Sequence, residues 1–283
     1  MITTWSEAVA YTFKTRHKWR VGSGRQTSRI NTNHITRIVG GDFLLADFKR
    51  GVLRDMEFAL EDYGHSDGTI NRVMTAFSTV FNHCNDEEVI DLPVPRIPKR
   101  KEYQGRPHYF TQEQVDLICA KENSVGQSDL VRFASLTGGR MGEILKLQVR
   151  DIDLDSGLVY FGGRPEFNTK NGDWRTVPIH NHLAEMLHQR TAMVPSDVLV
   201  FGDQWATAER VLRKFKQRTR DVGIEPMYVF HCLRHSFATW HIEANTPIRV
   251  LMDLMGHKKI ETTLRYAKAT DKARENAIAS FVH

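Results

Sequence analysis

Apolar residues recur every three to four positions through most of the first ninety residues, which is the spacing of a single helix face. Trp5, Ala8, Val9 and Tyr11 to Phe13 form one stripe, and Ile30, Ile35, Ile38 and Val39 a second. A third runs from Ala46 through Val52, Leu53, Met56, Phe58 and Leu60 to a stop at Tyr63-Gly64, and a fourth takes in Ile70, Val73, Met74, Phe77, Val80 and Phe81. Four short helices closing a small core are expected. Between Leu92 and Phe110 the period is lost. Pro93, Pro95, Pro98 and Pro107 stand there among basic residues, and proline resists both the helix interior and the central strand. A boundary is therefore expected, with residues 1–91 a helical unit, 92–107 a stiff basic linker and 108–283 a second domain.

The second domain opens with Thr111-Gln112-Glu113-Gln114, a capping-box spacing ahead of Val115, Leu117 and Ile118. A helix over residues 129–136 should end at Thr137-Gly138-Gly139. Leu158 to Phe161 and Trp174 to Ile179 alternate as strands do, and Asn171-Gly172 between them is a strong hairpin signal. Helical spacing returns over approximately 181–191, 206–222, 231–243, 248–255 and 260–267. The expected fold class is mainly α with a small antiparallel β-sheet (α+β).

Composition narrows the class. The chain has 283 residues, 41% hydrophobic and 26% charged, which suits about two globular domains and excludes disorder or collagen-like repeats. With no apolar run of membrane-spanning length and no signal-type leader, a soluble, cytoplasmic protein without membrane contact is expected. Cys84, Cys119 and Cys232 are scattered, as expected of reduced thiols. The net charge, 39 − 34 = +5, is modest but unevenly placed. Six basic residues and no acid lie from Lys14 to Arg29, five bases against Glu102 from Arg96 to Arg106, and six against Glu209 from there to Arg220. Gly41 to Asp91 holds eleven acids and four bases. Separated basic patches on a balanced chain fit a phosphate backbone contacted from several sides. The candidate contacts are Lys14, Arg16, Lys18, Arg20 and Arg25, then Arg96, Lys99, Arg100 and Lys101, then Arg213, Lys214 and Lys216.

Three segments concentrate groups suited to a phosphodiester: Thr137-Gly-Gly-Arg140-Met-Gly-Glu143-Ile-Leu, His231-Cys-Leu-Arg234-His235-Ser-Phe-Ala-Thr, and Leu254-Met-Gly-His257-Lys-Lys-Ile-Glu-Thr-Thr-Leu-Arg-Tyr266. Arg140 follows a Gly-Gly pair at a helix start, and Glu143, one turn on, can orient it. Arg234 lies three residues after His231, on the same helix face. Two guanidiniums meeting at one site offer paired donors to nonbridging phosphate oxygens and stabilise the charge of a five-coordinate phosphorus. Tyr266 is the candidate nucleophile, a phenol that needs help losing its proton. His231 and His235 have the i, i+4 spacing of helical zinc ligands, but the Glu of H-E-x-x-H is missing, so no metal is expected and His235 is read as a supporting residue. Gly22-Ser-Gly24 lacks the spacing of a dinucleotide fingerprint, and there is no Walker A loop, so no cofactor is expected.

Together with the hairpin Asn168-Thr-Lys170-Asn-Gly-Asp-Trp-Arg-Thr-Val-Pro, these segments resemble, in order, the four signature regions of the tyrosine recombinase (phage integrase) family, from about Thr111 to Tyr266. The resemblance implies a helical core-binding domain ahead of a catalytic domain, clamping duplex DNA. It implies a site-specific recombinase that cleaves through a 3′-phosphotyrosyl intermediate, releases a 5′-hydroxyl and rejoins strands without ATP. It assigns Lys170 as general acid and places His231 and His257 in the site, with the choice of base between them open. It also implies a homotetramer on two DNA sites, with DNA-bending or directionality factors as further partners. Two departures stand out. Lys268 replaces the histidine that many members carry two positions after the tyrosine, and the first helix is expected almost at Met1, where many phage integrases carry an extra arm-binding domain. Ala277, Ile278, Phe281 and Val282 form an apolar tail suited to docking on a neighbouring protomer. A type IB topoisomerase-like enzyme and a non-catalytic DNA-binding regulator are the rival readings, and strand exchange between two short duplexes separates the first from a recombinase.

Overall fold

A computed structural model describes residues 2–22, 24–96, 98–102, 105, 107–120, 125–167, 174–202 and 207–267. The chain divides into two compact units, Met1–Gly105 and Arg106–His283. No helix among the described residues is long and apolar enough to cross a membrane.

The first unit is helical: α1 (Trp5–Thr15), α2 (His17–Arg20), α3 (Arg25–Val39), α4 (Arg50–Asp62) and α5 (Asp67–Asp86). Thr4 and Glu7 cap α1 reciprocally, the Glu7 carboxylate accepting from the Thr4 amide at 3.1 Å and the Thr4 hydroxyl from the Glu7 amide at 3.4 Å. The core is aromatic. Trp5 and Phe77 stack at 6.0 Å, and Phe48 touches Trp5, Phe77 and Phe81 at 5.7, 5.0 and 5.6 Å. The third apolar stripe departs from expectation. Leu45–Asp47 forms a single tight turn, and α4 begins only at Arg50, because extended backbone at Phe48 and Lys49 turns the Phe48 ring inward. Phe58, counted in that stripe, is exposed.

The proline segment also differs from a free-standing linker, since it stays with the helical unit as far as Gly105. Prolines deny it internal hydrogen bonds, and α5 supplies them instead. The buried Asn71 side chain donates to the Arg100 carbonyl at 3.0 Å and accepts from the Arg100 amide at 2.9 Å. The Arg100 guanidinium is taken up by Glu61, Asp67 and Glu57 at 3.1, 3.3 and 3.6 Å. The structure thus shows carboxylate partners for this candidate phosphate contact within its own unit.

The second unit runs α6 (Gln112–Ala120), α7 (Val125–Thr137), α8 (Met141–Ile144), β1 (Ile152–Asp153), β2 (Leu158–Phe161), β3 (Arg175–Pro178), α9 (Asn181–Thr191), α10 (Ala208–Asp221), α11 (His231–Glu243), α12 (Ile248–Met255) and α13 (Ile260–Ala267). The expected capping box opens α6, with Thr111 and Gln114 exchanging amide bonds at 3.0 and 3.2 Å. The sheet is antiparallel in the order β1-β2-β3, with Val159 opposite Val177 and Phe161 opposite Arg175. The two-residue β1 is too short to show a period. The tip of the expected hairpin, with Asn171-Gly172 and Lys170, lies outside the described residues. Helix α11 is the central element. Leu233, Arg234, Ser236, Phe237, Ala238 and Thr239 are all buried, the mark of a helix enclosed on most sides.

Both glycines after α7 are dictated by close approach. Gly138 is left-handed, φ +62°, and a Cβ there would stand 2.5 Å from the Phe237 ring, while one on Gly139 would meet Ile144 at 2.8 Å. Gly138→Ala is therefore expected to lower unfolding stability by about 2 kcal/mol or more, from left-handed strain plus overpacking. A urea midpoint unchanged from that of the native protein would contradict the required contact.

Candidate active site

The stop of α7 at Gly138 leaves Arg140 in extended backbone at the head of α8. Its amide donates to Glu143 Oε2 at 3.0 Å and its Nη1 to Oε1 at 2.7 Å, so the carboxylate one turn on holds both the arginine's backbone and its side chain. Glu143 is buried and has a second cation, Arg175 of β3, whose Nη2 donates to Oε2 at 2.8 Å. Burial alone would raise the Glu143 pKa. The charge and hydrogen bond of Arg175, then the bonds from Arg140, outweigh it and hold the carboxyl at about 2.

Arg234 projects from α11 into the interior, 3% exposed. Its Nη1 donates to the Gly138 carbonyl at 2.5 Å, and its Nη2 to the Met255 carbonyl and to His257 Nε2, the latter at 3.0 Å. Burial, then repulsion from Arg140 and Arg175, pulls its pKa down to about 9, which leaves it cationic at neutral pH. Among the described residues no carboxylate touches it. A buried cation held by carbonyls and an imidazole leaves positive charge uncompensated, an arrangement that favours an anionic ligand.

His257 stands just past α12, where left-handed Gly256 closes the helix. The Gly256 amide donates to the Asp253 carbonyl and the His257 amide to that of Met252, both at 3.0 Å, the pairing of a Schellman turn. An arginine can only donate, so His257 Nε2 is the acceptor, and the ring proton sits on Nδ1, donating to Thr263 Oγ1 at 2.8 Å. Burial and the charges of Arg234, Arg140, Arg175 and Arg265 lower its pKa to about 3.

Tyr266 lies on α13, 5% exposed, its ring packed with Phe237, Ala238, Leu251 and Met255. Its hydroxyl is 2.8 Å from His235 Nδ1. Burial raises the phenol's pKa, and Arg234, Arg265 and Arg140 oppose that rise. His235 is pushed down to about 4 by burial, then by His231 and the charges of Arg265 and Arg234, with His108 adding a smaller push. His231, exposed at the start of α11, meets the His235 ring edge-to-face at 4.8 Å. Its pKa is lowered by loss of surrounding water, then by Arg234, Arg140 and Arg265.

The structure thus brings Arg140, Glu143, His231, Arg234, His235, His257 and Tyr266 together, with the charges of Arg140 and Arg234 both acting on Tyr266, His231 and His257. Lys170 falls outside the described residues, as do Lys268 and the apolar tail. Thr263, Arg265 and Arg175 escaped the sequence reading. Only Arg175 left a signal, a charged residue where the inward alternation of β3 calls for an apolar one. Of the basic patches, Lys14, Lys18, Arg20, Arg25, Arg96, Lys99, Lys101, Arg213 and Lys216 are exposed, while Arg16 and Lys214 are half-buried.

The two strongly depressed histidines predict an acid limb of stability. Between pH 6.5, their ordinary value, and about 4, the unfolded chain binds protons that folded His235 and His257 refuse, so stability falls as pH is lowered through that window. The melting temperature is expected to drop from pH 7 to pH 4.5, and the drop to flatten in a His235→Phe, His257→Asn double variant. Parallel profiles for the two proteins would contradict the assignment.

A family model described as "Phage integrase family" matches residues 108–273, more than half of the chain. The chain belongs to the phage integrase family of tyrosine recombinases. The recombinase is 29% identical over 274 residues to the tyrosine recombinase XerA of Thermococcus onnurineus, covering 90% of either chain. Its fold is shared with the Tn1549 transposon integrase in complex with transposon right end DNA (TM-score 0.75, 16% identity, 98% of each chain covered). It is also similar to a lambda integrase dimer bound to a COC′ core site (TM-score 0.72, 17% identity, 95% of this chain and 78% of that one). Family and relatives make it a site-specific strand-cleaving and rejoining enzyme, and favour neither a topoisomerase nor a non-catalytic regulator.

Proposed function

We propose that this recombinase exchanges DNA strands by transferring a phosphodiester onto Tyr266. The observation that carries this reading is the buried Arg234 cation, free of any carboxylate contact among the described residues, acting with Arg140 on one phenol. A phosphate held between the two guanidiniums accepts their N–H groups through its nonbridging oxygens. Tyr266 Oη then attacks phosphorus: the Oη–P bond forms, the P–O5′ bond breaks, and the products are a 3′-phosphotyrosine and a 5′-hydroxyl. The phenolic proton leaves to the histidines, of which His235 already touches the hydroxyl. Lys170, by family resemblance, protonates the departing oxygen. Attack by a second 5′-hydroxyl reverses these steps and rejoins the strand, and the stored phosphoester energy makes ATP unnecessary.

The Arg234 guanidinium has five N–H groups and three acceptors among the described residues, which leaves donors for a phosphate. Duplex DNA is the proposed partner in the cytoplasm, gripped by the helical unit and by α10 through exposed basic residues such as Lys18, Arg25, Arg213 and Lys216. The Tn1549 and lambda relatives were seen on DNA, the latter as a dimer. Four copies on two sites, aided by DNA-bending or directionality factors, would complete two sequential exchanges.

Native protein incubated with nicked duplexes of randomised sequence, without added Mg²⁺, is expected to give an SDS-stable adduct whose DNA can be sequenced. Two duplexes carrying the recovered site should then exchange strands. Supercoil relaxation without exchange would point to a topoisomerase, and the absence of any adduct would overturn the reading.

A further inference from the structure

Arg175 occupies an inward position of β3 and is 9% exposed, so a full charge is buried on a strand face where Val177 shows the expected apolar type. Isolating such a cation from water is costly, and it persists only where several partners compensate it. Arg175 has three. Nη2 donates to Glu143 Oε2 at 2.8 Å, Nε donates to the Leu254 carbonyl at 2.9 Å, and the guanidinium lies 4.4 Å from the centre of the Phe161 ring. Gly256 makes room for it, since a Cβ there would stand 3.0 Å from Arg175 Cδ.

These partners lead to both sides of the phosphate site. Glu143 holds the Arg140 amide and guanidinium. Leu254 belongs to the last turn of α12, next to the Met255 carbonyl that accepts from Arg234 and two residues before the Gly256-His257 closure. We propose that Arg175 is a positioning residue for strand cleavage, a tie from β3 that fixes the Glu143–Arg140 pair on one side of the phosphate and the Met255–His257 turn on the other. It touches no reacting atom. The inference rests on the reading of Arg140, Arg234 and Tyr266 as the cleavage site.

An ion pair that served stability alone could be replaced by an apolar side chain of similar reach with little change in chemistry. A tie that sets geometry cannot, because a misplacement of about 1 Å can cost on the order of 100-fold in rate. Arg175→Met, in the full chain at a temperature where circular dichroism shows it folded, is expected to bind the recovered DNA site within about threefold of the native protein and to cleave it about 100-fold more slowly at saturating DNA. Arg175→Lys retains the charge and one donor direction, and should recover part of the rate. Arg175→Met and Glu143→Gln should be strongly non-additive, the double variant cleaving about as slowly as the slower single.

The pH profile adds a readout that general loosening would not move. Glu143 faces Arg140 and Arg175, with the charge of Arg234 nearby. Without Arg175 the burial that raises the carboxyl's pKa is less opposed, so Arg175→Met should lose further activity between pH 7 and 5 relative to native protein. Cleavage by folded Arg175→Met within threefold of native, or a loss confined to DNA affinity, overturns the proposal. Should Arg175→Met fail to fold, Arg175→Lys decides alone: native cleavage and an unaltered pH profile in that variant overturn it equally. If native protein forms no adduct, the cleavage reading itself has failed. An adduct in native protein with normal cleavage by the variants removes only the role of Arg175.

Discussion

Tyr266→Phe is expected to form no covalent adduct with nicked duplex under conditions where native protein converts a readily visible fraction to the SDS-stable species. The substitution removes one oxygen and leaves the ring, which packs among Phe237, Ala238, Leu251 and Met255, in place. Its structural cost is the hydrogen bond to His235, about 1 kcal/mol, so the variant should melt within a few degrees of native and bind DNA equally well. Loss of the adduct without loss of binding isolates the nucleophile. An undiminished adduct from Tyr266→Phe would remove Tyr266 from that role and with it the proposed intermediate.

Arg234→Lys should slow cleavage by about 1,000-fold, and Arg234→Ala by at least as much, judged against the cost of removing one preorganised donor from a site of developing negative charge. The lysine variant is the more informative. An ammonium keeps the charge but not the planar fork, which here spans the Gly138 carbonyl, the Met255 carbonyl and His257 Nε2 at once. Removing the guanidinium altogether leaves those buried carbonyls without their donor, so the alanine variant should also melt lower by several degrees. DNA affinity should change little, because one cation among many exposed lysines and arginines contributes a small share of phosphate binding. Single-turnover cleavage at saturating DNA separates the two effects, and a rate within tenfold of native in Arg234→Lys would mean that the fork is not part of the clamp.

Both variants act on a site whose parts differ in how early they become visible. Several helices of the second unit were legible because they carry their own punctuation. The Thr111–Gln114 cap, the Gly138 stop and the Gly256 closure are local devices set by a few consecutive residues. Arg140, Arg234 and Tyr266 were singled out by the chemistry of their segments, and His257 by the resemblance that motif order carries. The ion pairs of Arg100 were hidden because a basic residue in a basic run says nothing about carboxylates more than thirty residues away, and Glu61 and Asp67 reach it only once α4 and α5 are packed. The register of Phe48 was hidden for a similar reason: whether a stripe continues as helix or breaks to turn an aromatic inward depends on what stands opposite.

What the amino-acid order determined by itself is the set of local elements and the chemical inventory: helix periods, caps, a two-stranded pattern, two arginines, histidines and a tyrosine in a given succession. Those follow from interactions within a turn or two of chain, where backbone geometry leaves few choices. Only the folded chain decided which donors point at which acceptors. It set the tautomer of His257 through Arg234 and Thr263, gave the Tyr266 hydroxyl to His235, and made Arg175 the common partner of Glu143 and Leu254. Such pairings join residues from 6 to 79 positions apart, and their energies depend on burial and distance, neither of which exists until the second unit has closed around α11.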